Sequence, residues 1–310
     1  MDIADPVRPS YPVLLNRDSG GSEETDVPDR IREAFRSEGA EADVRTAEGG
    51  EELLALAKEV ASQDFPVVVG AGGDGTISAL ASVLAGARKT LGVLPLGTLN
   101  HFAKDLRIPL DLEGAVHNVV HGRETQVDVG EVNGRTFVNN SSLGLYPRIV
   151  RHREERQKLG WGKWPAFVWA TIHALHRHRP IDVILATDGH EIRRATPFVF
   201  VGNNSYEMDG FDVGTRERLD RGELSVYTAP GARPVDLVLS AFLALIGRLR
   251  ATGKFEVLRT KELEIASRTE PVRVAADGEI VMMRPPLRYR IRPRALQVIV
   301  PPESEKEGVS

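Results

Sequence analysis

A glycine-rich stretch at residues 65–76, FPVVVGAGGDGT, is the part of the sequence best suited to chemistry. A run of valines ends in four glycines with one carboxylate, Asp74, among them, and Thr76 then begins a helical pattern. This order predicts a buried strand, a tight turn and the N-terminus of a helix. Glycine lets an anion approach the backbone, and the free N–H groups at the positive end of a helix favour a phosphate.

Asp74 separates this turn from the common phosphate loops. No lysine follows the last glycine, as a P-loop would need, and the spacing differs from the dinucleotide fingerprint GxGxxG. A carboxylate inside a phosphate-binding turn repels its ligand unless a divalent cation or a donor lies between them. The turn therefore indicates a metal–nucleotide site, and the alternative is an ordinary strand-to-helix turn capped by Asp74 or Thr76.

The composition is that of a soluble globular protein. The 310 residues are 41% hydrophobic and 27% charged, and the net charge of −4 gives no general affinity for nucleic acid or anionic membranes. The absence of cysteine excludes disulfides and thiolate metal sites. The N-terminus MDIADPVRPS is unlike a signal peptide, and the longest apolar stretch, residues 237–246, is too short to span a bilayer. We therefore expect a cytoplasmic protein.

The first part of the chain alternates predicted strands with predicted helices, which indicates a parallel sheet with helices on its faces. Ligands of such sheets bind beyond the carboxyl ends of the strands. Asn16, Thr46, residues 72–76 and residues 95–100 all follow predicted strands, so we expect them to converge on one edge. The predicted strands are 11–15, 42–46, 67–69 and 91–94, and the predicted helices are 28–38, 51–60, 76–84 and 111–121.

After Gly122 the pattern changes to short strands separated by turns, which indicates a mostly antiparallel sandwich or barrel. We predict an α/β domain over 1–124, a β-sandwich domain over 125–300 whose last strand is free to return to the first domain, and a disordered tail over 301–310. Helices are predicted at 147–174 and 235–249. The predicted strands are 126–131, 135–139, 181–187, 192–201, 223–228, 256–260, 263–266, 271–275, 287–290 and 295–300.

Three motifs in this order give the chain a family resemblance. GGDGT at 72–76, PLGTLNHFAKDL at 95–106 and ADGE at 276–279 resemble the catalytic module of diacylglycerol kinases, sphingosine kinases and related bacterial lipid kinases. The likeness extends over most of the chain, since LLN at 14–16 and FVFVGNN at 198–204 also match. The resemblance implies a Rossmann-like ATP-binding domain of the NAD kinase and lipid kinase type, a β-sandwich domain, and phosphoryl transfer to a lipid hydroxyl at a cleft between them.

Carried over by position, the resemblance implies roles for individual residues. Asp277 and Glu279 would lie nearest the accepting hydroxyl, with Glu279 as general base, although Asp277-Gly278 taken alone is a common hairpin turn. Asp74 would bind Mg²⁺ directly or through water, because Mg²⁺ needs hard oxygen ligands. The implied nucleotide site comprises Asn16, Thr46, Gly72, Gly73, Asp74, Gly75, Thr76, Gly97, Thr98 and Asn100.

Three positions depart from the family pattern. His101 stands where an aspartate is usual, so it either alters metal or substrate contacts or is simply an N-terminal helix residue. Arg221, within residues 219–224, places a cation where a structural Mg²⁺ would be bound, which argues against that metal and suggests an ion pair with Asp220. Arg17 replaces a proline, and it either helps to hold a phosphate or is only solvated.

All three tryptophans lie within Trp161–Trp169, and basic side chains flank them. Such a segment suits a membrane surface or an acyl-chain groove, and the alternative is a core helix with a solvated basic end. His173, His176 and His178 lie close together without an acidic partner at metal-binding spacing, so we expect no metal there.

These observations predict a transferase, specifically an ATP- and Mg²⁺-dependent lipid kinase of phospholipid metabolism that associates peripherally with membranes. The sequence does not decide whether the lipid acceptor is a diacylglycerol-like or a sphingoid-like hydroxyl, and it is compatible with a homodimer. No nucleic-acid partner is expected. The alternatives are an NAD kinase-like enzyme, because GGDGT also occurs in NAD kinases, and a non-catalytic nucleotide- or lipid-binding member of the fold.

Overall fold

The computed structural model divides the chain into two compact units, residues 1–127 with 294–310 and residues 128–293. The helices predicted at 147–174 and 235–249, the tryptophan segment, the three histidines at 173–178 and the tail from 303 onward lie outside the described residues. The described residues are 9–17, 26–144, 181–187, 189–206, 208–209, 212–213, 216, 218–231, 256–267 and 270–302.

The first unit is built from strands and helices that alternate along the chain, as the sequence predicts. It also contains the C-terminal part of β18 (Leu287–Val300), the last strand of the chain. Its other elements are β1 (Ser10–Asn16), α1 (Val27–Ser37), β2 (Glu41–Ala47), α2 (Gly50–Ser62), β3 (Val67–Gly72), α3 (Asp74–Leu84), β4 (Thr90–Pro95), α4 (His101–Asp105) and α5 (Leu112–His121).

These strands form a parallel sheet in the order β2-β1-β3-β4-β18. Its register aligns the carboxyl ends of the strands, because Asn16 pairs with Ala47 and Gly72 pairs with Pro95. Strand β4 is buried along its whole length, and β3 is buried from its second residue onward, as expected for central strands covered on both faces. The helices bury residues at spacings of three and four, such as Ile31, Ala34 and Phe35 of α1.

The second unit is an antiparallel β sandwich. Its strands are β5 (Arg123–Val132), β6 (Arg135–Phe137), β7 (Asn140–Gly144), β8 (Ile181–Thr187), β9 (His190–Thr196), β10 (Phe198–Asn203), β13 (Leu224–Thr228), β14 (Glu256–Thr260), β15 (Glu262–Ser267), β16 (Val272–Ala276) and β17 (Glu279–Met283), and a small separate hairpin comprises β11 (Met208–Asp209) and β12 (Asp212–Val213). One sheet has the order β14-β13-β10-β7-β16-β17. In the other sheet the N-terminal part of β18 pairs with β15, followed by β8 and β9, while β5 pairs with β6.

The core of the second unit lies between its two sheets. Val199, Val226 and Val274 come from the first sheet, whereas Val183, Ile265 and Leu287 come from the second, and all are buried. In each of these six strands a second residue of the core lies two positions away, which is the alternation expected of a sandwich. The predicted fold class, an α/β domain followed by an antiparallel sandwich, is therefore confirmed.

The structure corrects several predicted elements. The strand predicted over 192–201 is two strands, β9 and β10, which belong to different sheets and are separated by Pro197. The strands predicted over 287–290 and 295–300 are one continuous strand, β18. Strands β7 and β17 and the five-residue helix α4 were not predicted; β7 is largely polar, and α4 is little more than one helical turn.

Candidate active site

The two glycine-rich turns of the first unit, residues 72–76 and residues 95–100, touch each other through their backbones. A Cβ atom at Gly97 would lie only 2.4 Å from the Cα atom of Gly73, so a side chain there would push the turns apart. A Cβ atom at Gly72 would lie 2.3 Å from the hydroxyl oxygen of Thr76. Two of the predicted glycines are therefore required by close packing, and they bring residues 72–76 and 95–100 together.

Asn100 shapes the second turn. It adopts a left-handed backbone conformation with φ of 51°, and only 8% of its surface is exposed. Its side-chain oxygen accepts a hydrogen bond from the amide of Gly97 at 3.0 Å, while its Nδ2 donates to the carbonyl oxygens of Pro95 and Gly97 at 3.2 and 2.7 Å. Because the whole amide group is engaged with the turn, Asn100 holds the backbone of the predicted nucleotide site in place.

Asp74 connects the first turn to helix α4. One of its carboxylate oxygens, Oδ1, accepts a hydrogen bond at 3.2 Å from the amide of Phe102, in the first turn of α4. Among the described residues Oδ2 accepts no hydrogen bond, which leaves a hard oxygen ligand at the turn. A magnesium–phosphate group fits this donor set, since Mg²⁺ in such sites typically takes one or two carboxylates together with phosphate oxygens.

The start of helix α3 offers backbone donors beside this carboxylate. The first bond within the helix runs from the amide of Ile77 to the carbonyl of Gly73 at 3.1 Å. The amides of Asp74 and Gly75 precede that bond, and the first amides of any helix lack partners within the helix. Gly75 is exposed, and a Cβ atom there would meet nothing within 4 Å. An anion can therefore approach the backbone at Gly75.

The remaining residues of the predicted nucleotide site differ in exposure. Asn16 is the last residue of β1 and Thr46 precedes the last residue of β2, so both lie at the carboxyl edge of the sheet. Thr98 is exposed in the second turn, whereas the side chain of Thr76 is buried and packs against Gly72.

Two of the three positions that depart from the family pattern lie near this edge. Arg17 forms a largely exposed ion pair with Glu48 at 3.5 Å, an interaction that contributes little to stability. His101 is the exposed first residue of α4.

In the second unit, Asp277 and Gly278 form the two-residue turn of the β16–β17 hairpin. Both have positive φ, 46° and 87°, and Ala276 pairs directly with Glu279, as in a type I′ turn. The carboxylate of Asp277 accepts hydrogen bonds from three successive amides of residues 138–140, at 2.7, 2.8 and 3.0 Å. Asp277 therefore fixes the segment that leads into β7.

Glu279 begins β17 directly after this turn, and its side chain is 56% exposed. Its Oε2 atom contacts the guanidinium group of Arg135. Within the described part of the chain, the other oxygen, Oε1, accepts no hydrogen bond. Of the two predicted carboxylates, Asp277 is thus directed at the backbone of its own unit, and Glu279 presents an oxygen that a ligand can reach.

A buried arginine supports residues 138–140 from another direction, and sequence reasoning missed it. Arg216 is 1% exposed and donates to the carbonyl oxygens of Val138 and Asn203 at 2.7 and 3.0 Å and to Oδ1 of Asn139 at 2.8 Å. The guanidinium carbon also lies 5.3 Å from the ring centre of Tyr206. Its sequence neighbourhood carries no signal of burial, because arginine is usually exposed.

The third departure from the family pattern lies in the loop at 219–224. Asp220 forms a two-point ion pair with Arg218, with both contacts at 2.9 Å. The suggested ion pair between Asp220 and Arg221 stays a prediction. The amide of Gly222 donates to the fully buried carboxylate of Asp128 at 2.6 Å. This loop is thus held through its backbone.

Comparisons with known proteins agree with both units. Residues 10–132 match the family model of the diacylglycerol kinase catalytic domain, and residues 148–300 match that of the YegS C-terminal NAD kinase beta sandwich-like domain. The resemblance to diacylglycerol kinases that the sequence motifs indicated is therefore confirmed for the first unit. Both glycine-rich turns lie within the first match, and the hairpin that carries Asp277 and Glu279 lies within the second.

Individual relatives of this family resemble the chain over nearly its whole length. A diacylglycerol kinase from Staphylococcus aureus is 26% identical over 266 residues, which cover 81% of this chain and 84% of the relative. A provisionally assigned diacylglycerol kinase from Bacillus anthracis str. Sterne has the same fold with a TM-score of 0.74 at 21% identity, covering 96% of this chain and 99% of that one. A second diacylglycerol kinase structure from that organism has a TM-score of 0.70 at 18% identity, with the same coverage.

The resemblance to diacylglycerol kinases supports a lipid kinase function. None of the helices in the described ranges has the length and apolar character needed to cross a bilayer.

Proposed function

We propose that this protein is a lipid kinase that transfers the γ-phosphoryl group of ATP to a hydroxyl group of a lipid. The observation that carries the proposal is the contact between the two glycine-rich turns at the carboxyl edge of the parallel sheet. There the backbones of Gly73 and Gly97 approach too closely for a side chain, and the exposed Gly75 opens the start of α3 to an anion. Such an edge is where open α/β sheets bind their ligands.

In this proposal the first unit binds and orients the triphosphate. The amides at Asp74 and Gly75 donate to phosphate oxygens, helped by the positive end of the helix. Asn100 keeps the second turn in contact with the first through its three hydrogen bonds. Asp74 holds Mg²⁺, which when bound neutralises the negative charge that develops on the phosphoryl group during transfer.

The second unit supplies the base for the acceptor. Glu279 takes the proton of the lipid hydroxyl as its oxygen forms a bond to the γ-phosphorus, and the bond from that phosphorus to the β–γ bridging oxygen breaks, so that ADP leaves with the electron pair. Oε1 of Glu279 is the oxygen suited to this role, because Oε2 contacts Arg135. Asp277 is a positioning residue that fixes the hairpin through its three backbone contacts.

The acceptor we favour is diacylglycerol, because the Staphylococcus aureus relative is a diacylglycerol kinase. Sphingoid bases offer the same chemistry, a primary hydroxyl on an amphipathic molecule. Since both acceptors reside in membranes, we propose that the enzyme meets its substrate at a membrane surface and that its product enters phospholipid synthesis.

The test is transfer of label from γ-labelled ATP into an organic-extractable product. The protein is incubated with Mg²⁺ and mixed micelles of diacylglycerol or of a sphingoid base. Glu279→Gln is expected to lower the turnover number by about 10²–10⁴-fold, the usual contribution of a general base. The melting temperature should not change, because this carboxylate is exposed.

Glu264→Gln is the matched control, because Glu264 also lies on a strand of the second unit and forms an exposed ion pair, at 3.1 Å with Arg288. It should leave the turnover number unchanged. Equal activity of Glu279→Gln and Glu264→Gln would contradict the assignment of the base. Label appearing in NAD instead of lipid would favour an NAD kinase-like enzyme, and stabilisation by ATP without any transfer would favour a non-catalytic protein.

A further inference from the structure

Two histidines and a glutamate meet on the first unit, away from the glycine-rich turns. Glu38 is the C-cap residue that directly follows α1, while His117 and His121 lie four residues apart on α5. One carboxylate oxygen, Oε2 of Glu38, lies 3.2 Å from Nδ1 of His117 and 2.8 Å from Nε2 of His121. One ligand atom from each residue lies within 4.8 Å of the other two. Two nitrogens and one oxygen are therefore close enough together to bind a single ion.

The chemistry of these atoms is that of a transition-metal site. Imidazole nitrogens and a carboxylate suit zinc, copper, nickel and iron, whereas magnesium and calcium prefer oxygen alone. Histidines four residues apart on a helix present both rings on one face, which is the arrangement helical zinc sites use. With zinc–ligand bonds of about 2.0–2.1 Å, tetrahedral ligand atoms lie about 3.3 Å apart, so the two contacts of the Glu38 oxygen need to widen by no more than about half an ångström.

The electrostatic surroundings also favour a cation. Glu38 follows the last residue of α1, and His121 is the last residue of α5, so the negative ends of two helices flank the cluster.

We propose that Glu38, His117 and His121 form a binding site for a divalent transition-metal ion of the zinc class. The three side chains supply three ligands, and because 49–63% of the two histidine side chains is exposed, a water molecule can take the fourth position. The ion joins the C-terminal end of α1 to the last turn of α5. The site is separate from the Mg²⁺ position at Asp74, because Glu38 precedes β2 and Asp74 follows the carboxyl end of β3.

The test uses the full-length, untagged protein after treatment with a chelator. Zn²⁺ is titrated by calorimetry in competition with a chromophoric chelator, in buffer that contains millimolar Mg²⁺. One zinc ion should bind per chain, and His117→Ala and His121→Ala should each weaken binding at least tenfold. Glu38→Gln should also weaken it, because a neutral amide is a poorer ligand. His190→Ala is the control, since His190 is an exposed histidine of the second unit, and its zinc affinity should equal that of the wild type.

A second measurement guards against variants that fail to fold. All three substituted side chains lie at the protein surface, so the far-ultraviolet circular dichroism of the variants should match that of the wild type. Zinc should raise the melting temperature of the wild type and of His190→Ala but not of His121→Ala, because only an intact site links α1 to α5. Absence of zinc binding by the wild type at micromolar concentrations, or undiminished binding by the double variant His117→Ala/His121→Ala, would overturn the proposal.

Discussion

Replacing Gly97 with alanine tests whether the two turns truly depend on backbone contact. The new Cβ atom would lie 2.4 Å from the Cα atom of Gly73 and 2.8 Å from Oδ1 of Asn100. Carbon atoms pack at about 3.5–4.0 Å, so the turns must separate by roughly 1 Å. The hydrogen bonds of Asn100 oppose that movement. Overpacking of this kind costs about 1–3 kcal/mol, which corresponds to a fall of about 3–10 °C in melting temperature.

Gly75→Ala is the matched control, because it adds the same methyl group to the same site without a clash. Gly75 lies in the first turn of α3 with no atom within 4 Å of the new Cβ atom. Alanine is preferred over glycine in helices by about 0.5–1 kcal/mol, so the melting temperature should stay constant or rise slightly. ATP should nevertheless bind more weakly to Gly75→Ala, because the methyl group occupies the space through which a phosphate approaches the backbone.

The assay is thermal unfolding of both variants with and without Mg·ATP. Gly97→Ala should lose stability without ligand, whereas Gly75→Ala should lose only the stabilisation that ATP provides. A melting temperature of Gly97→Ala equal to that of wild type would refute the close contact. Full ATP stabilisation of Gly75→Ala would refute the proposed position of the phosphate.

Three further substitutions probe the second unit and the surface of the first. Asp277→Asn should cost about 2–3 kcal/mol in urea unfolding, because the amide cannot accept from all three backbone donors, and an unchanged midpoint would contradict its positioning role. Burial raises the pKa of Tyr289 far above its ordinary value, so the stabilisation from its neutral side chain is complete below about pH 10 and is lost as the pH rises further. Between pH 8 and pH 10.5, the free energy of unfolding should therefore fall less in Tyr289→Phe than in the wild type. The hydrogen bonds with His121 and His117 lower the pKa of Glu38, so the stabilisation that this carboxylate provides is present above about pH 4.5 and is lost as the pH falls further. Glu38→Gln should therefore lose less stability than the wild type between about pH 5 and 3. An identical loss in both proteins would disprove the contact.

The parts of the fold that follow from local pattern were predictable. Apolar runs bounded by glycine mark β3 and β4, and apolar residues at spacings of three and four mark α1, α2, α3 and α5. The position of Asn16, Thr46 and the two turns at one edge followed from the rule that parallel strands end on the same side. The contact between Gly73 and Gly97 was not predictable, since it depends on the distance between two strands' ends.

Other features depend on partners far apart in the sequence. Asp277 is 137–139 residues from the amides it binds, so its sequence neighbourhood shows only a hairpin turn. Arg216 reaches Asn139 across 77 residues, and nothing local marks it as buried. The pair of histidines at 117 and 121 does carry a signal, the four-residue spacing on a helix, but its third ligand, Glu38, is 79 residues from His117.

Paramagnetic broadening by Mn²⁺·ATP, followed on the backbone amides by NMR, tests the central claim most directly. The claim is that the metal-bound triphosphate lies at the carboxyl edge of the parallel sheet, against the two glycine-rich turns. The amides of Gly73, Gly75 and Gly97 should broaden first in a titration, whereas the amide of Gly39, which precedes the amino end of β2, should not. Unbroadened signals at the three glycines, or equal broadening at Gly39, would contradict the account.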